Sequence, residues 1–312
     1  MFASLRPYGG VACLPVPPDR RAEFSRGIEG AETREAGEFL LLRRPGAPPG
    51  AGEWTHEHGD AANTRVSKDS IVKAPLGLLW FGGPSHEGIL PRHGHGPQPQ
   101  VCGGRMIIGG MDMLRSIDIY TGRLLWESSL PGVGRFYNNT QHQPGANAAG
   151  TNFISTPDTI YATYGKACVR LDPVTGEKTG EFSLPAPAGG KEAPVWGYLN
   201  VFARYLVGGS EPLMEAGPLA MGDPKGGDDP DPDDDEDVMD KKLAELKGSN
   251  DNLSSSRSLV VMDRRTGEIL WKAAARSGFR HNAICIGGGR LYAIDRLSGM
   301  QLDRILGGLF SC

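Results

Sequence analysis

Four short texts share one grammar, and no other feature restricts the fold as much. "SIDIYTGRLLWESSLPG" from Ser116, "VRLDPVTGEKTGEFSLP" from Val169, "LVVMDRRTGEILWKAAA" from Leu259 and "LYAIDRLSGMQLDRILG" from Leu291 each set Asp-x-x-Thr/Ser-Gly between two strand-like runs. A text that recurs along a chain marks one supersecondary unit copied several times, so the unit and its stacking decide the architecture. The anchors Asp118, Asp172, Asp263 and Asp295 are unevenly spaced, and the widest interval, 172 to 263, holds an insertion. Loops absorb such variation at small entropic cost.

Hairpin geometry explains the motif. The Asp carboxylate can accept from backbone N–H groups two or three residues on, and Gly122, Gly176, Gly267 and Gly299 can take positive φ without a Cβ clash. Residues before the turn (Ile117, Val169, Leu171, Val261, Ile294) and after it (Leu125, Phe182, Leu270) suit a pleated surface. Trp126 and Trp271 stand eight residues past their Asp, where the second copy has Gly180 and the fourth Asp303. A ring at one fixed point of an outer strand suits the gap between neighbouring sheets, which makes its role architectural.

These residues resemble the PQQ-like, or quinoprotein-dehydrogenase-like, β-propeller repeats, which read roughly Ala-x-Asp-x-x-Thr-Gly-x-x-x-Trp. Runs that look like the inner strands precede the copies, at 104–110, 158–165, 198–209 and 282–293. The resemblance implies a mainly β fold, a partial propeller of about four four-stranded blades over residues 54–312, with a small α/β segment ahead of it. Composition agrees: 45 Gly and 24 Pro in 312 residues suit a turn-rich β protein. The last copy ends at "LGGLFSC", which suggests an open arc belonging to a longer parent chain.

Residues 1–46 follow other rules. "LRPYGGVACLPVP" reads as a turn and a strand, "RRAEFSRGIEGAETREA" as a helical interval and "AGEFLLLRRPG" as a second strand. This looks like the closing edge of a class I S-adenosylmethionine-dependent methyltransferase domain, with Tyr8 in place of the first Gly of its Arg-Pro-Gly-Gly turn. The Gly-rich cofactor loop of such enzymes is missing, so methylation by this chain is not expected. Residues 47–53 read as a linker. "APLGLLWFGG" (74–83) resembles an outer strand with Trp80 placed like Trp126, able to lend its edge to the last blade of a full ring.

Two loops carry the candidate ligand groups. "HEGILPRHGHGPQPQ" offers Arg92 and His93, and "RFYNNTQHQPGAN" offers Arg135 and His142; both precede inner strands, so the two should converge on one face. His93 and His95 alternate in an extended chain and would point to opposite faces, which disfavours a chelating pair. Five Cys (13, 102, 168, 285 and 312) show neither metal spacing nor a disulfide framework and read as small apolar side chains. The acidic insertion at 222–256 repels itself and reads as disordered, with a short helical stretch before Gly248. Asp229, Asp231 and Asp233 alternate like calcium ligands, but Pro230 and Pro232 stiffen the chain and no Gly supplies the bend.

The family resemblance brings pyrroloquinoline quinone and calcium to mind as cofactors, yet the adjacent Cys-Cys pair of quinoprotein alcohol dehydrogenases does not occur, and neither their base nor their calcium ligands can be placed on this sequence. The reading is therefore a non-catalytic binding or scaffold module that presents loops to a protein or saccharide. The alternative is part of a quinone- or metal-dependent oxidoreductase whose catalytic residues lie partly outside the chain. A net charge of −4 disfavours nucleic acid, and no apolar run of about 18 residues suits a membrane span. By resemblance the location is bacterial periplasm or cell envelope, although no charged-then-apolar leader follows Met1.

Overall fold

A computed structural model describes residues 2–26, 28–91, 94–138, 145–146, 153–213 and 254–296. The repeats build three antiparallel four-stranded sheets, each a simple meander. The first holds β4 (Gln100–Cys102), β5 (Arg105–Gly110), β6 (Met113–Asp118) and β7 (Leu124–Ser129). The second holds β8 (Phe153–Ser155), β9 (Ile160–Tyr164), β10 (Ala167–Leu171) and β11 (Lys178–Ser183). The third holds β12 (Trp196–Phe202), β13 (Tyr205–Leu213), β14 (Ser255–Asp263) and β15 (Ile269–Arg280). A fourth sheet pairs only β16 (Cys285–Gly287) with β17 (Arg290–Tyr292) among the described residues, where four strands are expected. The fold is a partial β-propeller.

Burial follows strand position. In the second sheet β8 is wholly buried, whereas the outermost strand, β11, alternates between exposed and half-buried residues. Inner strands lie between neighbouring sheets and so read as continuous apolar runs, much as doubly covered strands do. The core accordingly comes in layers between sheets. Leu114 and Trp126 of the first meet Phe153 and Val169 of the second; Tyr161 and Cys168 of the second meet Trp196, Leu199 and Val260 of the third. Tyr198 and Val261 of the third meet Ile284 and Ile286 of the fourth.

Three turns follow the anticipated chemistry. Asp118 accepts from the N–H of Tyr120, Asp172 from Val174 and Thr175, and Asp263 from Arg265 and Thr266. In each, the Gly N–H closes on the Asp carbonyl at 2.8 Å, with φ of 69°, 75° and 77° at Gly122, Gly176 and Gly267. The same glycines answer a second demand. A Cβ on Gly122 would stand 2.6 Å from the Trp80 ring, on Gly176 2.6 Å from Trp126, and on Gly267 2.6 Å from Phe182. Each turn is thus capped by an aromatic ring from the element before it. Trp80 Nε1 donates to Ile119 O at 2.9 Å, Trp126 Nε1 to Pro173 O at 3.1 Å, and the Tyr161 hydroxyl to Arg264 O at 3.0 Å, always the carbonyl after the Asp.

The second copy lacks a Trp because another pair takes its place. Gly180 leaves room for the Arg170 guanidinium, which lies 4.5 Å from the Phe182 ring centroid and donates to Arg265 O at 3.1 Å. Trp271, on β15, is 43% exposed, and its counterpart turn at Gly299 lies outside the described residues.

Several expectations need correction. Asp295 follows the second described strand of its sheet, where the third was expected, and the turn after it lies outside the described residues. Its carboxylate accepts from the N–H groups of Arg276, Ser277 and Gly278, where β15 bulges away from β14. The insertion ends earlier than 256: Ser255 and Ser256 are buried in β14, with Leu213 opposite Ser255. Asp229, Asp231, Asp233 and the stretch before Gly248 lie outside the described residues. Residues 74–83 form no strand, although Trp80 docks as expected; Leu76, Leu78 and Phe81 there are exposed, Phe81 by 93%.

Ahead of the sheets, β1 (Gly10–Leu14), α1 (Pro18–Arg26), β2 (Glu32–Ala36) and β3 (Phe39–Arg44) form a separate three-stranded sheet, ordered β1-β3-β2 with every pair antiparallel. Pro18 and Asp19 open the helix as N-terminal residues should. The helical interval stops at Arg26, and residues 32–36, expected as helix, form β2 instead, turning into β3 at Gly37 with φ 59°. Buried Arg21 locks the unit, donating to Val16 O, Glu35 and Gly37 O. Arg6 pairs with Asp118, and Tyr8 packs on Gly104, so this sheet rests on the first blade.

Candidate functional site

The loops expected to converge do meet at their described residues. Ala146 N–H donates to His95 O at 2.9 Å, and Gly94 lies so close to Tyr137 that a Cβ would overlap its carbonyl. Of the four residues singled out, Arg92, His93 and His142 lie outside the described residues. Arg135 is placed, largely exposed, with its guanidinium on both carboxylate oxygens of Asp112 at 2.6 and 3.0 Å. That pair holds Asp112 below the ordinary carboxylate range, Arg135 being the first cause and the Gly132 N–H the second.

What the sequence did not reveal is the segment "WTHEHGDA", residues 54–61, which passes the first strand of each of the four repeat sheets. Trp54 exchanges both backbone hydrogen bonds with Val101 of β4, at 2.9 and 2.7 Å. Ser155 of β8 donates to Thr55 O at 3.2 Å, His56 Nε2 donates to Val201 O of β12 at 3.0 Å, and Ile286 of β16 donates to Ala61 O at 2.7 Å. One peptide therefore forms a hub for all four sheets. Its only sequence signal was an unusual His-Glu-His-Gly-Asp cluster inside what read as the start of the repeats.

The hub buries polar groups. His56 Nδ1 accepts from the Thr55 hydroxyl at 2.7 Å, fixing a neutral tautomer with the proton on Nε2. Burial lowers its pKa to about 4, against the opposing pull of the Val201 carbonyl. Glu57 is 8% exposed and accepts from the Gln98 N–H at 3.0 Å. Burial raises it to about 7, and the Gln98 N–H and the charge of Arg65 only partly offset this.

Behind the hub, Asn200 donates to the Tyr198 hydroxyl at 2.9 Å, which donates to Ile284 O at 3.2 Å, and the Ser256 hydroxyl meets His281 Nε2 at 2.8 Å. Asn200, which also acts on His56, borders a void of about 30 Å³, room for a water or two.

In front, Glu57 forms part of the wall of an open cavity of about 560 Å³ between the hub and the 89–99 loop. Among the described residues, no group of three or more His, Cys, Asp and Glu is arranged to hold a metal. Burial raises the thiols of Cys102 and Cys168 far above their ordinary value, which makes them poor nucleophiles. No helix among the described residues is long and apolar enough to cross a membrane.

No family model matches this chain, and no curated protein matches it. Solved structures with some likeness include the quinohemoprotein alcohol dehydrogenase from Comamonas testosteroni, at 17% identity and TM-score 0.40, covering 72% of this chain and 27% of that one. BamB from Moraxella catarrhalis is similar at 12% identity and TM-score 0.32, covering 93% of this chain and 57% of that one. The computationally designed Ika8 protein is similar at 12% identity and TM-score 0.35, covering 64% and 42%. The chain spans less than two thirds of each of these proteins. Likeness at this level assigns no activity.

Proposed function

We propose that the chain is a non-catalytic binding module of the propeller-repeat type, which receives part of a protein partner at the end where the hub meets the 89–99 loop. The observation that carries this reading is the open cavity of about 560 Å³ with a buried carboxyl group in its wall. Concave sites of this volume with a few convergent polar groups are a usual form of ligand pocket. Arg92, His93, Arg135 and His142 remain candidates for the rim. Residues 1–46 are read as the edge of a methyltransferase-like α/β domain, and residues 47–53 as its link to the repeats.

The test is a binding screen on immobilised peptides and glycans, run with the natural chain and with Ile108→Trp, which fills the cavity from β5. Saturable binding that disappears in the filled variant, with its melting curve unchanged, supports the module. Binding indifferent to the filling, or none at all, removes it.

A further inference from the structure

The cavity has an uneven chemistry. Among the described residues its walls include Ile89, Leu90, Pro91, Pro97, Pro99 and Ile108, and no Phe, Tyr, Trp, lysine or arginine lines it. Its polar side chains are those of Glu57, Gln98 and His95. A carboxylate offers about four lone-pair sites. Among the described residues Glu57 fills one of them, with the Gln98 N–H, and the cation acting on it is Arg65, which itself donates to His58 at 3.3 Å. A buried, underpaired carboxylate is costly unless a proton or a cation compensates it.

We propose that this cavity takes the lysine or arginine side chain of a protein partner, its aliphatic stem against the proline and isoleucine walls and its charged head on Glu57. The proposal rests on the binding-module reading and names what that module recognises. A long cationic side chain matches both halves of the site, since its stem packs on apolar surface while its head seeks a carboxylate. A sugar matches it less well, because the described walls offer no Phe, Tyr or Trp ring to stack on.

The raised pKa of Glu57 adds a pH signature. Near neutrality the empty site holds a proton for part of the time, and a bound cation displaces it. Among the described residues, the other titratable or charged groups around Glu57 are His56, His58, Arg65 and His95, of which His56 is kept neutral by burial down to about pH 4.

The experiment titrates the chain with N-acetyl-arginine methylamide and with its neutral isostere, N-acetyl-citrulline methylamide, following amide shifts by NMR. The arginine probe should bind at least tenfold more tightly, its affinity should rise between pH 5.5 and 8, and Glu57→Gln should abolish the difference between the probes. The comparison of probes on the natural chain needs no variant, so a folding defect in Glu57→Gln cannot rescue the idea. Equal affinity for both probes, or an arginine preference that survives Glu57→Gln, overturns it. If glycans or neutral peptides bind in a manner blocked by Ile108→Trp, the cation proposal falls and the binding module stands; if nothing binds, both fall.

Discussion

Replacing Gly176 by alanine makes two separable demands on the second turn. The residue sits at φ 75°, where an L side chain is strained by about 1–2 kcal/mol. The new Cβ would also stand 2.6 Å from the Trp126 ring, which is buried and tied through Nε1 to Pro173 O, so it has little freedom to withdraw. Overpacking of that kind costs about 1–3 kcal/mol. The expected loss is therefore roughly 2–5 kcal/mol, the sum of both effects. Gly165 provides the control: its φ is 55°, and nothing lies within 4 Å of its Cβ position, so Gly165→Ala should show only the first, about 1–2 kcal/mol. Urea unfolding followed by tryptophan fluorescence reads both variants, with m unchanged if the denatured state is untouched. In a Trp126→Ala background, Gly176→Ala should shrink towards the Gly165 value, the Ser128 hydroxyl at 2.6 Å being the remaining close group. Equal losses for the two single variants, or no shrinkage without the ring, would refute the capping argument.

Four further outcomes are expected. Glu57 takes up a proton on folding between its ordinary value of 4.5 and about 7, so its contribution falls as pH rises through that window; Glu57→Gln should flatten the slope of melting temperature there. His56 acts oppositely, because the unfolded chain protonates first below 6.5, so stability falls on acidification from 6.5 towards 4, and His56→Gln should reduce that slope. Asp295→Ala removes the acceptor for three successive N–H groups, so hydrogen exchange at Arg276, Ser277 and Gly278 should quicken while β6 and β10 stay protected. Deleting residues 222–248 should leave the melting temperature within about 2 °C, since β13 and β14 pair directly beside the excised segment.

What could be read from the sequence was local. Asp172, Thr175 and Gly176 announce their turn because the bonds that make it span four residues. Asp295 carries the same local text, yet its carboxylate serves the bulge of β15 at Arg276, Ser277 and Gly278, a use that is not written near it. The hub escaped for a stronger reason. His56 meets Val201 and Asn63 meets Ile284, separations of 145 and 221 residues, and neither partner bears any mark of the other. Gly180 looked like a missing Trp until Arg170 and Phe182 were seen to share its place. The two ligand loops were found through their density of polar groups, but Glu57, the group best placed to give the cavity a preference, sat in a stretch valued only for where the repeats begin.

The hub also bears on how such a protein could change over time. In most repeat arrays each unit meets only its neighbours, so units are gained or lost by simple duplication and the molecule can come apart piecemeal. Here eight residues supply a hydrogen-bonding place to each of four sheets, in a fixed order. A duplicated sheet would arrive at the axis and find no place reserved for it, and a deleted one would leave backbone donors or acceptors bare. The length of one short peptide thus acts as a counting rule for the sheets around it, and joins distant units into one cooperative unfolding event.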